Sequence, residues 1–226
     1  MEVLKSILDF FLHLDDHLFT MIQDYGLWIY AILFLIIFVE TGLVIMPLLP
    51  GDSLLFAAGT FCAGVTNDLG ETAELNLWVV LGLLILAAVL GDGLNYFFGK
   101  TIGLKVLKWK ISGRQIVKQK YIDQTHAFYE KHGSKTIIIA RFVPIVRTFA
   151  PFVAGIGEMS YRKFIQFNII GGISWVLGLT LLGYFFGNLP IIQENFETVI
   201  FGIIALSILP MLFELVKAKL NSKKEK

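Results

Sequence analysis

Four apolar stretches, each about as long as a helix needs to be to cross a bilayer, most narrow what this chain can become. They run over residues 26–46, 77–98, 164–186 and 196–216. A soluble domain would also lack charge for its surface. Charged residues make up 16% and hydrophobic residues 56%, against a usual charged share of about 25%. Disorder requires low hydrophobicity and high net charge, whereas the mean hydropathy is +0.72 and the formal net charge +1. That near-neutral balance also excludes a whole-chain electrostatic case for nucleic-acid binding. A single cysteine, Cys62, excludes a disulfide framework and a multi-cysteine metal site. The expected fold class is an all-α polytopic membrane protein.

Two further apolar stretches have a different character. Residues 47–64 contain Pro47, Pro50, Gly51 and Asp52, and residues 137–157 contain Pro144 and Pro151 with Arg141 and Arg147. Proline removes a backbone donor and clashes with the preceding turn, so neither stretch suits a straight helix. Each is expected to fold back at its prolines as a re-entrant hairpin of two short arms. An arm of about 10 residues rises roughly 15 Å, half the hydrocarbon core. Non-helical backbone at that depth must be buried in protein or line a wet cavity. A pair of kinked full spans is the alternative.

Lys and Arg counts orient the chain. The segment 100–135 holds nine basic residues, and the tail 217–226 adds five more. Loops 66–76 and 188–195 hold none. The basic segment and tail are therefore expected in the cytoplasm, and four spans place the N-terminus there too. Residues 1–24 carry Asp9, Asp15 and Asp16 and lack a signal-peptide pattern. Leu4, Ile7, Leu8, Phe11 and Leu12 follow helical spacing there, as in a helix lying in the interface. Residues 25–216 form the one transmembrane domain. Within it, each hairpin precedes a span and the two units face opposite ways. That is an inverted repeat, which transporters use to place a site at mid-membrane. In the basic segment, Val117, Tyr121, Phe128 and Tyr129 share a face, so an amphipathic helix on the anionic inner leaflet is expected.

Glu40, Asp52, Asp92, Arg141 and Arg147 fall within apolar stretches. Each costs about 2.5–3.5 kcal/mol at a helix centre on insertion scales, so such residues function or pair. If the hairpin tips meet, Glu40 or Asp52 faces Arg141 or Arg147. A break at Pro144 lets both arginines aim into one cavity, where planar guanidinium forks match a phosphate or carboxylate. An anionic lipid headgroup is the expected ligand; simple internal pairing is the alternative. A carboxylate balanced between burial and a nearby guanidinium can exchange a proton as a cavity opens, which is the chemistry of proton coupling. Asp92 either titrates or hydrogen-bonds hairpin backbone.

No enzyme motif is present. Gly99-Lys100-Thr101 has the end of a phosphate-binding loop, but Leu94 occupies the first glycine's place. His13 and His17 lack the further ligands of a zinc site. Neither a metal nor a cofactor is expected. Gly171-Gly172 and Gly178 permit close helix packing, and a homodimer is compatible with them.

The sequence resembles the DedA family of bacterial membrane proteins, related to the eukaryotic VTT-domain lipid scramblases. Glu40-Thr41-Gly42 and Pro47-x-x-Pro50-Gly51-Asp52-Ser53 carry the resemblance, with Gly91-Asp92, Tyr96, Gly99 and Tyr129-x-x-His132-Gly133. Its most specific stretch is Arg141-Phe142-x-Pro144-x-x-Arg147-x-x-x-Pro151, followed by Ala154-Gly155. The resemblance implies two opposed re-entrant hairpins and a role in envelope lipid homeostasis. It also implies dependence on the proton motive force and a location in the cytoplasmic membrane. Return of undecaprenyl phosphate across that membrane is the implied activity. By position, Glu40 and Asp52 match the family's acidic residues, and Arg141 and Arg147 its essential arginines. The leading expectation is thus a proton-coupled translocase for phosphate-headgroup lipids. A proton-coupled exporter of small ions or cationic compounds is the main alternative, and a non-transporting scaffold a third.

Overall fold

The computed structural model describes residues 14–43, 51–66, 70–106, 110–111, 114–115, 119–187, 189–193, 198–199 and 202–203. These are mostly helical. Helices α1 (Leu14–Tyr25), α2 (Trp28–Gly42) and α3 (Gly51–Cys62) come first. A small antiparallel ribbon follows, β1 (Val65–Thr66) with β2 (Thr72–Ala73), and leads into the long α4 (Leu77–Val106). A second ribbon, β3 (Lys110–Ile111) with β4 (Arg114–Gln115), precedes α5 (Gln119–His132). Then come α6 (Thr136–Ala140), α7 (Pro144–Val153), α8 (Tyr161–Phe186) and the short α9 (Pro190–Gln193).

Among the described residues, two helices are long and apolar enough to cross a membrane: α4, over Leu77–Gly103, and α8. Both coincide with expected spans. The stretch 26–46 instead yields the 15-residue α2, which rises about 22 Å and falls short of a hydrocarbon core of about 30 Å. The expected span 196–216 and the turn at Pro47 and Pro50 lie almost wholly outside the described residues. From Gly51 onward, the first proline-bearing stretch is one uninterrupted helix rather than two arms. Gly64, at φ 82°, turns the chain out of α3 in the left-handed region that glycine tolerates.

The second proline-bearing stretch is broken into two helices just before Pro144. After α6, residues 141–143 break the helix, and Val143 is extended at φ −123° and ψ 101°. Pro144 then opens α7 at the first turn, where its missing N–H costs nothing. Helices α6 and α7 pack on each other and on α5. Here the expectation for the basic segment changes. Ile122, Thr125 and Tyr129 of α5 are buried, and the Tyr129 hydroxyl donates to the Ala150 carbonyl at 2.9 Å. At Tyr129, the face expected to meet the inner leaflet packs in the protein interior. Val117 and the Tyr121 side chain lie outside the described residues.

The described residues form two compact units. One draws on Met1–Ile29, Pro50–Leu77 and Leu179–Lys226, and the other on Tyr30–Leu49 and Trp78–Gly178. Each contains the same helix crossing. In the first, a Cβ on Gly59 would strike the Thr180 carbonyl, one on Gly183 the Phe56 carbonyl, and one on Gly187 the Thr60 side chain. In the second, Gly155 stands against the Tyr96 carbonyl, Gly99 against the Phe152 carbonyl, and Gly103 against Ile156. Position by position, Phe56, Gly59 and Thr60 on α3 correspond to Phe152, Gly155 and Ile156. Thr180, Gly183 and Gly187 correspond to Tyr96, Gly99 and Gly103 on α4. Such close approach is how helices associate where no hydrophobic force drives them together.

These crossings sort the glycines. Gly99→Ala and Gly183→Ala push a methyl into rigid backbone, and overpacking of this kind costs about 1–3 kcal/mol. Gly82→Ala and Gly93→Ala meet nothing within 4 Å and are expected to be neutral or to gain about 0.5–1 kcal/mol of helix propensity. Thermal unfolding of the detergent-solubilised variants separates the two classes; four equal shifts would contradict the crossings.

Candidate functional site

Every side chain of the site described below belongs to the second unit. Glu40 sits near the end of α2, Asp92 and Asn95 lie mid-way along α4, and Arg141 follows α6 directly. Arg147 and Thr148 lie on α7, and Asn168, Gly171, Gly172 and Trp175 on α8. Helix α2 reaches α4 through small residues. A Cβ on Gly42 would lie 3.5 Å from the Gly91 Cα, and one on Gly91 would strike the Thr41 hydroxyl. That crossing brings the Glu40 carboxylate to the level of the charges on α4 and α7.

The four buried charges form two pairs. Arg141 donates through Nη2 to Asp92 Oδ2 at 2.5 Å and to Asn168 Oδ1 at 2.6 Å. Asn168 in turn donates to the Val89 carbonyl at 3.0 Å. Arg147 donates through Nη2 to Glu40 Oε1 at 2.7 Å. The two arginines differ in access: the Arg141 side chain is 2% exposed and that of Arg147 12%. Both guanidiniums ride on one ring, with the Trp175 centroid 5.7 Å from the Arg141 Cζ and 5.2 Å from the Arg147 Cζ. Charge pairing, amide bonding and an aromatic face together make burial of these groups tolerable.

Asn95 ties the surrounding backbone together. Its Nδ2 donates to the Thr148 carbonyl at 2.9 Å and to the Thr41 carbonyl at 3.4 Å. Thr41 and Thr148 each follow one partner of the Glu40–Arg147 pair in sequence. A single amide thus fixes the backbone beside both members.

Of the residues singled out from sequence, the structure brings together Glu40, Asp92, Arg141 and Arg147. Glu40 faces Arg147, one of the expected pairings. Asp92 takes Arg141, rather than hydrogen-bonding hairpin backbone. Asp52 opens α3 in the other unit, where a negative charge suits the helix N-terminus. Gly51 is buried at the start of that helix, and Pro151 is buried within α7. Sequence reasoning missed Asn95, Asn168 and Trp175, and gave Gly171 and Gly172 no specific task. A Cβ on Gly171 would lie 3.1 Å from the Arg141 Nε, and one on Gly172 3.5 Å from its Nη2. The glycine pair makes room for a guanidinium. The signal was available, since two adjacent glycines in an apolar helix ask what fills the space.

The comparisons agree with this arrangement of motifs. A VTT domain matches residues 49–185. Protein DedA of Escherichia coli (strain K12) is 52% identical over 219 residues, covering 97% of this chain and 96% of the relative. The chain belongs to the DedA family. Two further relatives carry membrane names. Uncharacterized membrane protein ML0287 of Mycobacterium leprae is 46% identical over 78% of this chain and 75% of its own length. Inner membrane protein YqjA of E. coli is 32% identical over 83% of this chain and 80% of its own length. No solved structure matches this DedA-family chain.

The Arg141–Asp92 pair gives a stability prediction. Removing one member of a buried pair costs about 3–5 kcal/mol, because the other is left uncompensated. Asp92→Asn and Arg141→Met are each expected to lower the unfolding temperature sharply, and the double variant to recover much of the loss. Additive losses in a double-mutant cycle would show that the two groups do not stabilise each other.

Proposed function

We propose that this protein moves a phosphate-headgroup lipid, undecaprenyl phosphate above all, across the bacterial cytoplasmic membrane, and that protons drive the movement. The observation that carries this reading is the Glu40–Arg147 pair at 2.7 Å. It is a part-buried guanidinium held by an exchangeable carboxylate, and it is more accessible than its neighbour. Guanidinium recognises phosphate and carboxylate with the same planar fork, so the two anions compete for one donor. Protonation of Glu40 releases Arg147 to the phosphate; departure of the phosphate returns Arg147 to the ionised carboxylate. Proton and lipid thereby share a site by turns. Asp52, which the family resemblance pairs with Glu40, is a second proton carrier in this scheme.

Arg141 has a different part. It is anchored by Asp92 and Asn168, yet its Nη1 is buried and has no hydrogen-bond partner among the described residues. A buried donor left unmade costs about 1–3 kcal/mol, and a phosphate oxygen would satisfy it. The reading favours an anion over a small cation, because Glu40 and Asp92 both already hold guanidiniums.

A membrane path goes with this site. Helices α4 and α8 cross the membrane, and α3 returns the chain to the side from which it entered α2. In support, Gln23 at the end of α1 donates to the Thr72 carbonyl at 3.2 Å, and the Leu75 amide donates to the Phe61 carbonyl at 3.0 Å. The chain therefore enters α2 beside the loop into which α3 returns it. Helices α6 and α7 are the arms of the second hairpin. The lipid tail stays in the bilayer while the headgroup passes by way of the Glu40–Arg147 site, and no covalent chemistry is involved.

Proteoliposomes carrying labelled undecaprenyl phosphate test the proposal. Wild type is expected to move the lipid faster with an imposed pH gradient, and Arg147→Ala to lose at least about tenfold of that rate, or about 1.4 kcal/mol. Movement that ignores the gradient would remove the proton from the scheme. No movement by folded wild-type protein would overturn the lipid assignment.

A further inference from the structure

Trp175 has no part in the scheme above, although it is the largest fully buried side chain of the described residues, 1% exposed. It also touches the site in an unusual way. Both arginines place their guanidinium carbons within 6 Å of its ring centroid, the range in which a cation is attracted by the ring quadrupole. Arg141 would keep its place without the ring, because Asp92, Asn168 and the space over Gly171 and Gly172 define it. Arg147 is the one whose carboxylate partner must leave.

We propose that Trp175 is a positioning residue for the anion site, a shared aromatic floor that keeps the Arg147 guanidinium in place while Glu40 is exchanged for phosphate. The inference rests on the phosphate reading of the Glu40–Arg147 pair and deepens it. Between release of the Glu40 carboxylate and capture of the phosphate, Arg147 still shares the ring with a second cation, Arg141. Like charges in an apolar interior repel strongly. A ring whose negative face meets both cations offsets that repulsion without competing for hydrogen bonds, since its face accepts no directional proton. An aliphatic residue would fill the volume but supply no quadrupole. A carboxylate would bind Arg147 too well and exclude the phosphate. Trp is also the aromatic side chain with the strongest attraction for cations, and burial removes the competing water.

This role has a spectroscopic signature. Indole emission responds to a charge moving over its face, and Trp28, Trp78 and Trp109 are the other three tryptophans. A W28F/W78F/W109F variant leaves Trp175 as sole reporter. In nanodiscs of phosphatidylcholine containing undecaprenyl phosphate, its emission is expected to shift saturably with lipid phosphate content. Inorganic phosphate added to lipid-free-of-phosphate-monoester discs is the second arm. A shift with it alone would assign the site to free phosphate, and a shift with neither would overturn the floor if radiolabelled undecaprenyl phosphate still binds. In the otherwise wild-type chain, Trp175→Leu is expected to weaken undecaprenyl phosphate binding about tenfold or more, and Trp175→Phe to restore most of it. Wild-type binding by a folded Trp175→Leu protein would overturn the proposal and leave the phosphate reading standing. Absence of binding by wild type itself would bring down both.

Discussion

The cost of burying charge governs this structure. Glu40, Asp92 and Arg141 are each 3% exposed, and none of them could be carried at that depth alone. Helix α4 supplies the partner for Arg141, and α2 supplies the partner for Arg147. Each pair therefore ties a part of the α6–α7 segment to a different helix. Pairing also assigns unequal work. A guanidinium with a carboxylate, an amide and two glycines around it is a fixed post. A guanidinium that faces Glu40 and has greater access is the group suited to exchange.

Close helix approach is what makes these pairs geometrically possible. The Gly42–Gly91 contact sets the height of Glu40 against α4, and Gly171 with Gly172 leaves the space that the Arg141 side chain fills. Asn95 then holds the backbone at Thr41 and Thr148. Below the site, α7 lies on α4 through Gly99 and Gly155, and the Tyr96 hydroxyl reaches the Met159 carbonyl at 2.9 Å. The corresponding crossing of α3 with the end of α8 uses the same residue spacing in the other unit. The two units thus share one packing rule.

Much of this was legible in the residues. Prolines at the breaks and intramembrane charges fixed attention on Glu40, Arg141 and Arg147, because both features are expensive in an apolar segment. The family resemblance came from the same motifs. What sequence could not supply was the pairing, since any of several carboxylates could have met either arginine until three-dimensional register was known. Asp92 was left between titrating and hydrogen-bonding backbone, because its partner Arg141 lies 49 residues away in sequence. Helix α2 was read as a full span because its apolar run continues to Met46, but the helix ends at Gly42. Asn95, Asn168 and Trp175 were invisible because an amide or an indole in an apolar helix is cheap enough to need no special explanation. The repeat was hidden in Phe56-Ala57-Ala58-Gly59 and Phe152-Val153-Ala154-Gly155, and in Gly99-x-x-x-Gly103 and Gly183-x-x-x-Gly187.

Exchange of Glu40 for phosphate on Arg147 is the central claim, and proton counting tests it most directly. Calorimetric titration of undecaprenyl phosphate into the nanodisc-embedded protein, repeated in buffers of different ionisation enthalpy, gives the protons taken up per lipid bound. The account predicts uptake of about one proton by wild type, by linkage between binding and titration, and none at the same pH by Glu40→Gln. Equal proton uptake by the two proteins would contradict it.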